Sequence, residues 1–433
     1  MFAQVRIHEI SMIKQIANVV GLCGTLLILL CEGINAAIMG PLYPLRAIHY
    51  HGTSQFVVAV ALAMLNIGQA IAGVLLLSFK TKNYIRFIFI SSSLLTAILV
   101  IMFGLVDCIS NKFIYDVLCI TIRFLLGLSI SGIWSMVFAV VTTFFGEIGF
   151  KLSNIFLFFF YTGLMIGPQF ALYLSTFFNY SAPFYTLGIL LFMFTFAAMT
   201  VFSLHESQST EDENANSVYS NNFYAKDIGV IILLINFIYC GISDAFFDGI
   251  LAQFFTEKLM IPSSKLNTAY ILSNFSLLPS SFIFGWYLSS KGYSFMIVMG
   301  SLLLNFTSTF VLYLSKYFAE LRNFYVACAL LFLIFAARGT FVTSMYPVLR
   351  VYITNYFQNS DPKSVNVFVG LSLLLAGNLG LAIGALVFIG ILKVYFGFYE
   401  SLFGIWVFGA ISISTFVYYF FFILKVNIIK RWC

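Results

Sequence analysis

The stretch Ile228–Phe255, IGVIILLINFIYCGISDAFFDGILAQFF, decides the fold of this chain. It is longer than the roughly 20 apolar residues that cross a bilayer. It also contains two acids, Asp244 and Asp248, whose spacing of four residues puts them on one helix face. Because a carboxylate in hydrocarbon costs at least ~2.5–3.5 kcal/mol, such residues usually face a bundle interior or a wet cavity. The stretch therefore predicts a membrane helix with a polar face; the alternative is that both acids lie near the helix end and contact headgroup water.

The composition also places the chain in a membrane. Hydrophobic residues make up 61% of the 433 residues and charged residues only 9%, which is more apolar sequence than a soluble core requires. The net charge of +6 is scattered among loops, with no cluster beyond the C-terminus. It therefore does not indicate a nucleic-acid partner, and the expected partner is the lipid bilayer.

Nothing in the sequence indicates a metal site, a cofactor or an enzyme. The seven cysteines show no CxxC or other metal-binding spacing and are interpreted as small packing residues. All four histidines fall outside the apolar runs, which argues against a metal centre and an intramembrane histidine relay. Because the chain lacks a phosphate-binding glycine loop, a serine elbow and a zinc-binding helix motif, we expect neither an ATP-driven pump nor an intramembrane hydrolase.

Twelve apolar runs are long enough to cross a bilayer, six on each side of a polar break. The first six cover residues 18–40, 56–79, 84–105, 117–143, 152–176 and 184–204, and the second six cover 228–255, 268–288, 295–314, 324–348, 367–392 and 402–424. The break at 205–226 is polar, acidic and without periodicity. We predict an all-α polytopic membrane protein with twelve transmembrane helices in two pseudo-symmetric six-helix halves, residues 1–204 and 227–433, joined by a linker at 205–226.

The positions of lysine and arginine predict how the chain is oriented. If the N-terminus is cytoplasmic, 13 of the 22 basic residues lie on the cytoplasmic side and seven on the other, with Arg123 and Arg338 inside spans. We therefore expect both termini and the linker in the cytoplasm, in a vesicle, another organelle or the plasma membrane. The sequon at Asn179 then lies in a non-cytoplasmic loop, where N-glycosylation can occur.

The six-linker-six layout suggests a duplication. Gly73, at the end of the second run, corresponds to Gly285, at the end of the eighth, at an offset of 212 residues. The same offset takes Glu32 to Asp244. An acid at matched positions in the first helix of each half is what a cavity on a pseudo-twofold axis requires, although an offset chosen from the sequence can match by chance.

Two arginines inside apolar runs also need partners, because a guanidinium keeps its charge and is costly in a bilayer. We expect Arg123 to pair with Glu32, either as a functional partner that competes with a proton or substrate or as a structural ion pair. Arg338 is the expected counterpart of Arg123 in the second half; alternatively, it binds an anionic part of a substrate.

Other polar and aromatic residues in the spans are candidates for the wall of a cavity. The aromatic candidates are Trp134, Tyr161, Tyr239 and Tyr270, and the amide candidates are Asn35, Gln69 and Asn378. One or two of the aromatic rings are expected to contact a cation. For the amides, hydrogen bonding between helices is the simpler role.

Short motifs along the chain resemble those of one transporter family. GVLLLSFKTK, from Gly73, keeps a glycine and a basic tail but has Leu77 where the family has an acid, and GWYLSSKG, at residues 285–292, has Ser289 there. The fourth run contains RFLLG at residues 123–127, and the fifth contains GLMIGP at residues 163–168. The eleventh run echoes the fifth with glycines at 377, 380 and 384.

On these motifs the whole chain resembles the major facilitator superfamily. Within it, the run DAFFDGILAQFFTEKLMIP, from Asp244, is similar to the vesicular amine and polyamine transporter branch. The resemblance implies a monomeric transporter whose two halves rock about a central site. It assigns packing and gating positions to Gly73, Gly127, Gly163, Gly167, Pro168, Gly285, Gly292, Gly380 and Gly384.

The resemblance further implies antiport of an organic cation, an amine or a polyamine, against protons. Glu32, Asp244 and Asp248 are expected to bind the ammonium group and protons in turn, with Arg123 and Arg338 beside them. Two alternatives remain open: a facilitator for another organic solute without proton coupling, and a membrane receptor or scaffold that does not transport.

Overall fold

The chain is helical throughout the part that the structure describes. The structure is a computed structural model, and it describes residues 2–78, 85–145, 149–202, 226–260, 265–288, 293–356 and 362–419. Every regular element in these ranges is a helix, because a backbone in hydrocarbon satisfies its hydrogen bonds most readily within a helix. The all-α prediction is confirmed for these residues, whereas the predicted linker, apart from Lys226, lies outside them.

Six helices form the first half: α1 (Phe2–His49), α2 (Gln55–Ser78), α3 (Ile85–Val106), α4 (Lys112–Phe145), α5 (Gly149–Phe177) and α6 (Ala182–Phe202). The second half contains α7 (Ile228–Gln253, continued as a π-helix over Phe254–Lys258), α8 (three segments, Leu266–Phe275, Leu277–Ser280 and Ser281–Leu288), α9 (Ser294–Leu314), α10 (Phe324–Tyr356), α11 (Pro362–Ile383, continued as a π-helix over Gly384–Lys393) and α12 (Phe398–Tyr418). A short 3-10 turn, Ala319–Arg322, precedes α10.

Eleven helices in the described ranges are long and apolar enough to span a membrane. The one predicted span missing from these eleven is the eighth, residues 268–288, which corresponds to the segmented α8. Pro279 removes a backbone donor there, as proline does in any helix, while the hydroxyl of Ser276 donates to the carbonyl of Ser273 at 2.6 Å. The three segments follow one another closely and occupy the place of the eighth predicted span.

The end of α1 differs from the prediction, which placed it at Gly40. The helix continues to His49 with Pro41 and Pro44 inside it. Tertiary packing explains the extension, since Tyr43 is fully buried and its ring meets Phe103 of α3 edge-on at 5.6 Å. We call the side of the bundle where α1 ends and α2 begins the loop side.

Small residues let α1 and α5 pack backbone to backbone. A Cβ atom added to Gly33 would overlap the carbonyl oxygen of Phe160, and one added to Gly163 would overlap that of Leu30. One turn further along α5, a Cβ atom on Gly167 would lie 2.6 Å from the Cβ atom of Ala37. Only glycine permits helices to approach this closely.

The second half repeats this seam between α7 and α11. A Cβ atom on Gly380 would overlap the carbonyl oxygen of Ile238, and one on Gly241 would lie 3.0 Å from the Cα atom of Gly380. One turn on, a Cβ atom on Gly384 would lie 2.7 Å from the Cβ atom of Ala245. The same helix pair is thus joined by the same small residues in both halves.

The matched seams identify which residues correspond in the two halves. In α1 and α7 the offset is 208 residues, from 33 to 241 and from 37 to 245. Glu32 therefore corresponds to Cys240, and Asp244 lies one helical turn further along its own helix. The predicted pairing of Glu32 with Asp244 is wrong by that turn.

The offset of 212 nevertheless holds for α2 and α4 against α8 and α10. A Cβ atom on Gly127 would overlap the carbonyl oxygen of Leu65, and one on Gly339 would lie 3.1 Å from that of Leu277. The chain between the first two helices is therefore four residues longer in the second half than in the first. By contrast, Gly73 is not in a close seam, because a Cβ atom there would have nothing nearer than the Ser131 hydroxyl at 3.9 Å.

The remaining predicted motif positions are less informative. Pro168 lies inside α5, one residue after the seam glycine Gly167. Gly285 lies in the π-helical third segment of α8. Gly292 lies outside the described residues, so its predicted role is not addressed.

Candidate functional site

A cavity of about 350 Å³ lies between the two halves. Its wall is built from α1, α2, α4 and α5 of the first half and from α7, α8, α10 and α11 of the second. The predicted site residues that line it are Glu32, Asn35, Gln69, Arg123, Trp134, Tyr161, Asp244, Asp248, Tyr270, Arg338 and Asn378. Within the described ranges, no three His, Cys, Asp or Glu side chains are grouped as a metal site would require.

Tyr239 is the one predicted cavity residue that the structure places elsewhere. Its side chain is 2% exposed and is directed toward α12, where a Cβ atom on Gly409 would lie 2.6 Å from the hydroxyl. Its neighbour Cys240 lines the cavity instead. Successive residues in a helix point about 100° apart, so the step from 239 to 240 moves the side chain out of the cavity wall.

Arg338 connects both acids of α7. Its Nε lies 2.7 Å from Oδ2 of Asp244, and its Nη1 lies 3.3 Å from Oδ2 of Asp248. The side chain of Asp248 is 46% exposed and that of Asp244 only 12%, so Asp248 is the more accessible of the two acids. Charge-assisted bonds of this kind are about twice as strong as neutral ones. The three side chains form one charged group between α7 and α10, which we call the Arg338 triad.

Among the described residues Glu32 has no charged partner, although the Asn35 side chain hydrogen-bonds its carboxylate. Its residue is 2% exposed, it lines the cavity, and its Oε1 atom has no hydrogen-bond partner among the described residues. The predicted ion pair with Arg123 does not form: no ion pair between the two is found within the described part of the chain. Glu32 therefore places in the cavity wall a buried carboxylate, one of whose oxygens lacks a hydrogen-bond partner among the described residues.

Arg123 is the second charged side chain on the first-half wall that forms no ion pair with the described residues. It is 5% exposed and lines the cavity, and its Nε has no hydrogen-bond partner among the described residues. At the offset of 212 it corresponds to Phe335, not to Arg338. The expected equivalence of the two arginines is therefore wrong, and within the described ranges Arg338 contacts carboxylates whereas Arg123 does not.

Aromatic side chains from both halves complete the wall. Trp134 of α4 meets Phe160 of α5 edge-on, with ring centroids 5.0 Å apart. Tyr161, the next residue on α5, is also buried. From the second half, the Tyr270 hydroxyl approaches α1 so closely that a Cβ atom on Gly40 would lie 3.6 Å from it. These rings offer apolar surface and the negative π-faces that attract a cation.

The sequence did not predict several of the residues that line the cavity. Asn274 of α8 lines the cavity and donates from Nδ2 to the carbonyl oxygen of Leu164 in α5 at 3.3 Å, which joins the two halves. Its spacing of four residues from Tyr270 was the available signal. Asn66, Thr343 and Tyr346 also line the cavity.

A polar cluster outside the spans was also missed. Arg46 donates from Nε and Nη2 to the two carboxylate oxygens of Asp107, at 2.9 Å each, and His51 lies 3.1 Å from the same carboxylate. Burial opposes the charge of Asp107, but the bonds from Arg46 and His51 outweigh that effect and lower the pKa of the carboxyl. His51 also stacks on Tyr115 with ring centroids 3.7 Å apart. The cluster ties α1 to the start of the α3–α4 connection on the loop side.

A comparison with known families agrees with this architecture. The family model described as Major Facilitator Superfamily matches residues 25–316, which run from α1 to the end of α9. No curated protein sequence matches the chain. The match covers more than half of the chain, and with the helical bundle and its central cavity it shows that this multi-pass membrane protein belongs to the major facilitator superfamily of secondary transporters.

Proposed function

We propose that the protein exchanges an organic cation for protons, with Glu32 as the carboxylate that binds each in turn. The observation that carries this proposal is the unpaired Oε1 of Glu32 in the wall of the cavity. An ammonium group and a proton are alternative ligands for that oxygen. Competition for one buried group couples their movements, because the site is costly to leave ionised without either ligand.

The charges around the cavity favour a positive substrate. Three acids and two arginines line it, which leaves one negative charge in excess when all are ionised. Glu32 and the Arg338 triad together contribute two negative charges, and Arg123 offsets one of them. Tyr161, Trp134 and Tyr270 add the aromatic surface that organic cations prefer. This arrangement supports the amine or polyamine class over an anionic solute.

The Arg338 triad has a different role in this proposal from the one that sequence alone suggested. Asp244 is held by Arg338, so it is less available to a substrate than Glu32. Asp248 is the more exposed acid and has the longer contact with Arg338. A second ammonium group, as in a polyamine, therefore has its best partner at Asp248.

The facilitator alternative, in which Arg338 reads an anionic group, is less well supported. Two carboxylates already contact that guanidinium, and an anion would have to displace at least one of them. A transport-inactive receptor or scaffold would need neither unpaired charges nor a cavity between the halves.

Uptake by purified protein in lipid vesicles separates these possibilities. Radiolabelled spermidine and a monoamine such as tyramine are supplied with and without an imposed pH gradient. Proton antiport predicts accumulation only with the gradient, and Glu32→Gln should abolish it. Glu320→Gln, which changes an exposed acid in the turn before α10, should keep the wild-type rate. Equal uptake with and without the gradient would favour the facilitator.

A further inference from the structure

A proline in α5 frees a backbone acceptor in the wall of the cavity. Pro168 lies inside the helix and has no N–H. The carbonyl oxygen of Leu164, four residues earlier, therefore loses the donor that an α-helix supplies to it. Leu164 lines the cavity, and a buried carbonyl is costly to leave without a hydrogen bond. The sequence of α5 thus creates an acceptor for a donor from outside the helix.

The second half of the chain supplies that donor. Nδ2 of Asn274 in α8 donates to the carbonyl oxygen of Leu164 at 3.3 Å. Asn274 is buried and also lines the cavity. It lies in the last turn of the first segment of α8, Leu266–Phe275, next to the break in that helix. The hydrogen bond therefore joins the two halves at points where the regular hydrogen bonding of both helices is interrupted.

The matching interface between α2 and α11 lacks both partners. The seam contacts match residues 163 and 167 of α5 with residues 380 and 384 of α11, an offset of 217, which takes Pro168 to Ala385. The offset of 212 takes Asn274 to Leu62 of α2. Ala385 keeps its backbone N–H, and Leu62 has no polar atom in its side chain. The donor and the acceptor are therefore an addition to the packing that the two interfaces share.

We infer that Asn274 is a conformational latch, whose hydrogen bond to the Leu164 carbonyl holds α5 of the first half against α8 of the second. The two halves of such a transporter move relative to each other to expose the cavity, and α5 and α8 separate at this point only when the bond breaks. A neutral hydrogen bond shifts an equilibrium by about fivefold, so the latch biases the conformations without locking them. The inference does not rest on the proposed function, because the latch acts whichever solute is carried.

Distances between spin labels on α5 and α8 test the inference without any transport assay. One pair is placed at Phe178 and Thr268, near the loop-side ends of the two helices, and a second pair at Ile155 and Phe282, toward the opposite ends; all four side chains are exposed. The labels are attached to introduced cysteines in full-length protein whose seven native cysteines are replaced by alanine. Asn274→Leu should lower the population at the wild-type distance, relative to longer distances, by about fivefold in at least one pair.

Asn66→Leu is the matched control. Asn66 also lines the cavity, but its Nδ2 donates to the carbonyl oxygen of Leu62 in its own helix, at 3.4 Å. Both substitutions replace a cavity asparagine by leucine, so a general effect of the lost amide would appear in both. The latch predicts that Asn66→Leu leaves the distances of both label pairs unchanged.

Pro168→Ala tests the acceptor. Alanine restores an N–H four residues after Leu164, so the carbonyl regains a donor within its own helix. The effect of Asn274→Leu should therefore be smaller in the Pro168→Ala background than in the wild type, which a double-mutant cycle measures.

Three results would overturn the inference. They are wild-type distances in Asn274→Leu, equal changes in Asn274→Leu and Asn66→Leu, and an effect of Asn274→Leu that is the same with and without Pro168. If Asn274→Leu does not fold, Asn274→Ala removes the same amide with a smaller side chain and is measured in its place, with Asn66→Ala as its control.

Discussion

Nε of Arg338 in α10 lies 2.7 Å from Oδ2 of Asp244 in α7. This contact lies within the second half, whereas Glu32 and Arg123, on the first-half wall, are each without an ionic partner among the described residues. The two halves therefore share the arrangement of their helices but differ in how their charged cavity residues are paired. Among the described residues, the charged side chains on the second-half wall contact one another, whereas those on the first-half wall form no ion pair.

Replacing Arg338 by glutamine should destabilise the protein by about 3 kcal/mol or more, because it leaves two acids without a cation in a buried setting. The double variant Arg338→Gln/Asp244→Asn should recover part of that loss. The thermal unfolding midpoint in detergent measures both. Lys112→Gln, an exposed control, should match the wild type. If Arg338→Gln is as stable as the wild type, the triad does not stabilise the fold.

Alanine at the seam glycines should destabilise both halves. Gly163→Ala and Gly380→Ala each put a methyl group onto a carbonyl of the neighbouring helix, so the helices must move apart at a cost of about 1–3 kcal/mol. Gly73→Ala is the matched control, because its methyl group would make only an ordinary contact, with the Ser131 hydroxyl at 3.9 Å; it should be neutral or stabilise by up to ~1 kcal/mol. Thermal unfolding midpoints of the three variants measure the difference. Equal effects at all three positions would show that close packing at the seam glycines does not determine stability.

Asp107→Asn should remove a pH-dependent part of the stability. The pKa of Asp107 is lowered in the folded protein, so its ionised form stabilises the fold above its unfolded pKa, about 4. That contribution is lost as the pH falls through the lower, folded pKa.

The unfolding midpoint of the wild type should therefore fall below pH 4 more steeply than that of Asp107→Asn, while at pH 7 the variant is the less stable. Glu400→Gln removes the exposed pair with Lys316 and should change little, since exposed ion pairs contribute weakly. Parallel pH profiles for wild type and Asp107→Asn would contradict the role of the cluster.

The predicted orientation is tested with a tag. The basic residues favour the predicted cytoplasmic side by 13 to seven, which puts the linker and both termini in the cytoplasm. In cells that carry the protein at the plasma membrane, a tag near Ser217 should be labelled only after permeabilisation. A tag in the loop after His49 should be labelled on intact cells. The reverse pattern would invert the topology.

The sequence predicted the helical class and most spans because hydrophobic length is a local property. It misplaced the end of α1, since Pro41 and Pro44 ordinarily stop a helix, whereas here the packing of Tyr43 against α3 holds the turn together. It also treated residues 268–288 as one helix. The division of α8 reflects the missing backbone N–H of Pro279 and hydrogen bonds from serine hydroxyls to the backbone, such as Ser276 to Ser273. A hydropathy pattern does not contain this information.

The charged residues of the site were predictable by type but not by partner. A charge within a span points to a cavity, and all five such residues line one. Which acid meets which arginine depends on helix register and on connection lengths, and the offset of 212 fits α2 and α8 but not α1 and α7. Tyr239 was mispredicted for the same reason. Its side chain points toward α12, whereas that of the next residue, Cys240, lines the cavity.

The mismatch of one turn between Glu32 and Asp244 sets the three carboxylates at different depths. Measured from the loop side, Asp248 comes first, Asp244 follows about 6 Å deeper, and the level of Glu32 lies a further ~6 Å below, at ~1.5 Å for each residue of helix. Exposure falls from 46% for the Asp248 side chain to 12% for that of Asp244, and Glu32 is buried. The three carboxylates thus become less exposed with depth, and a cation transported as proposed would exchange its hydration shell for carboxylate oxygens in steps.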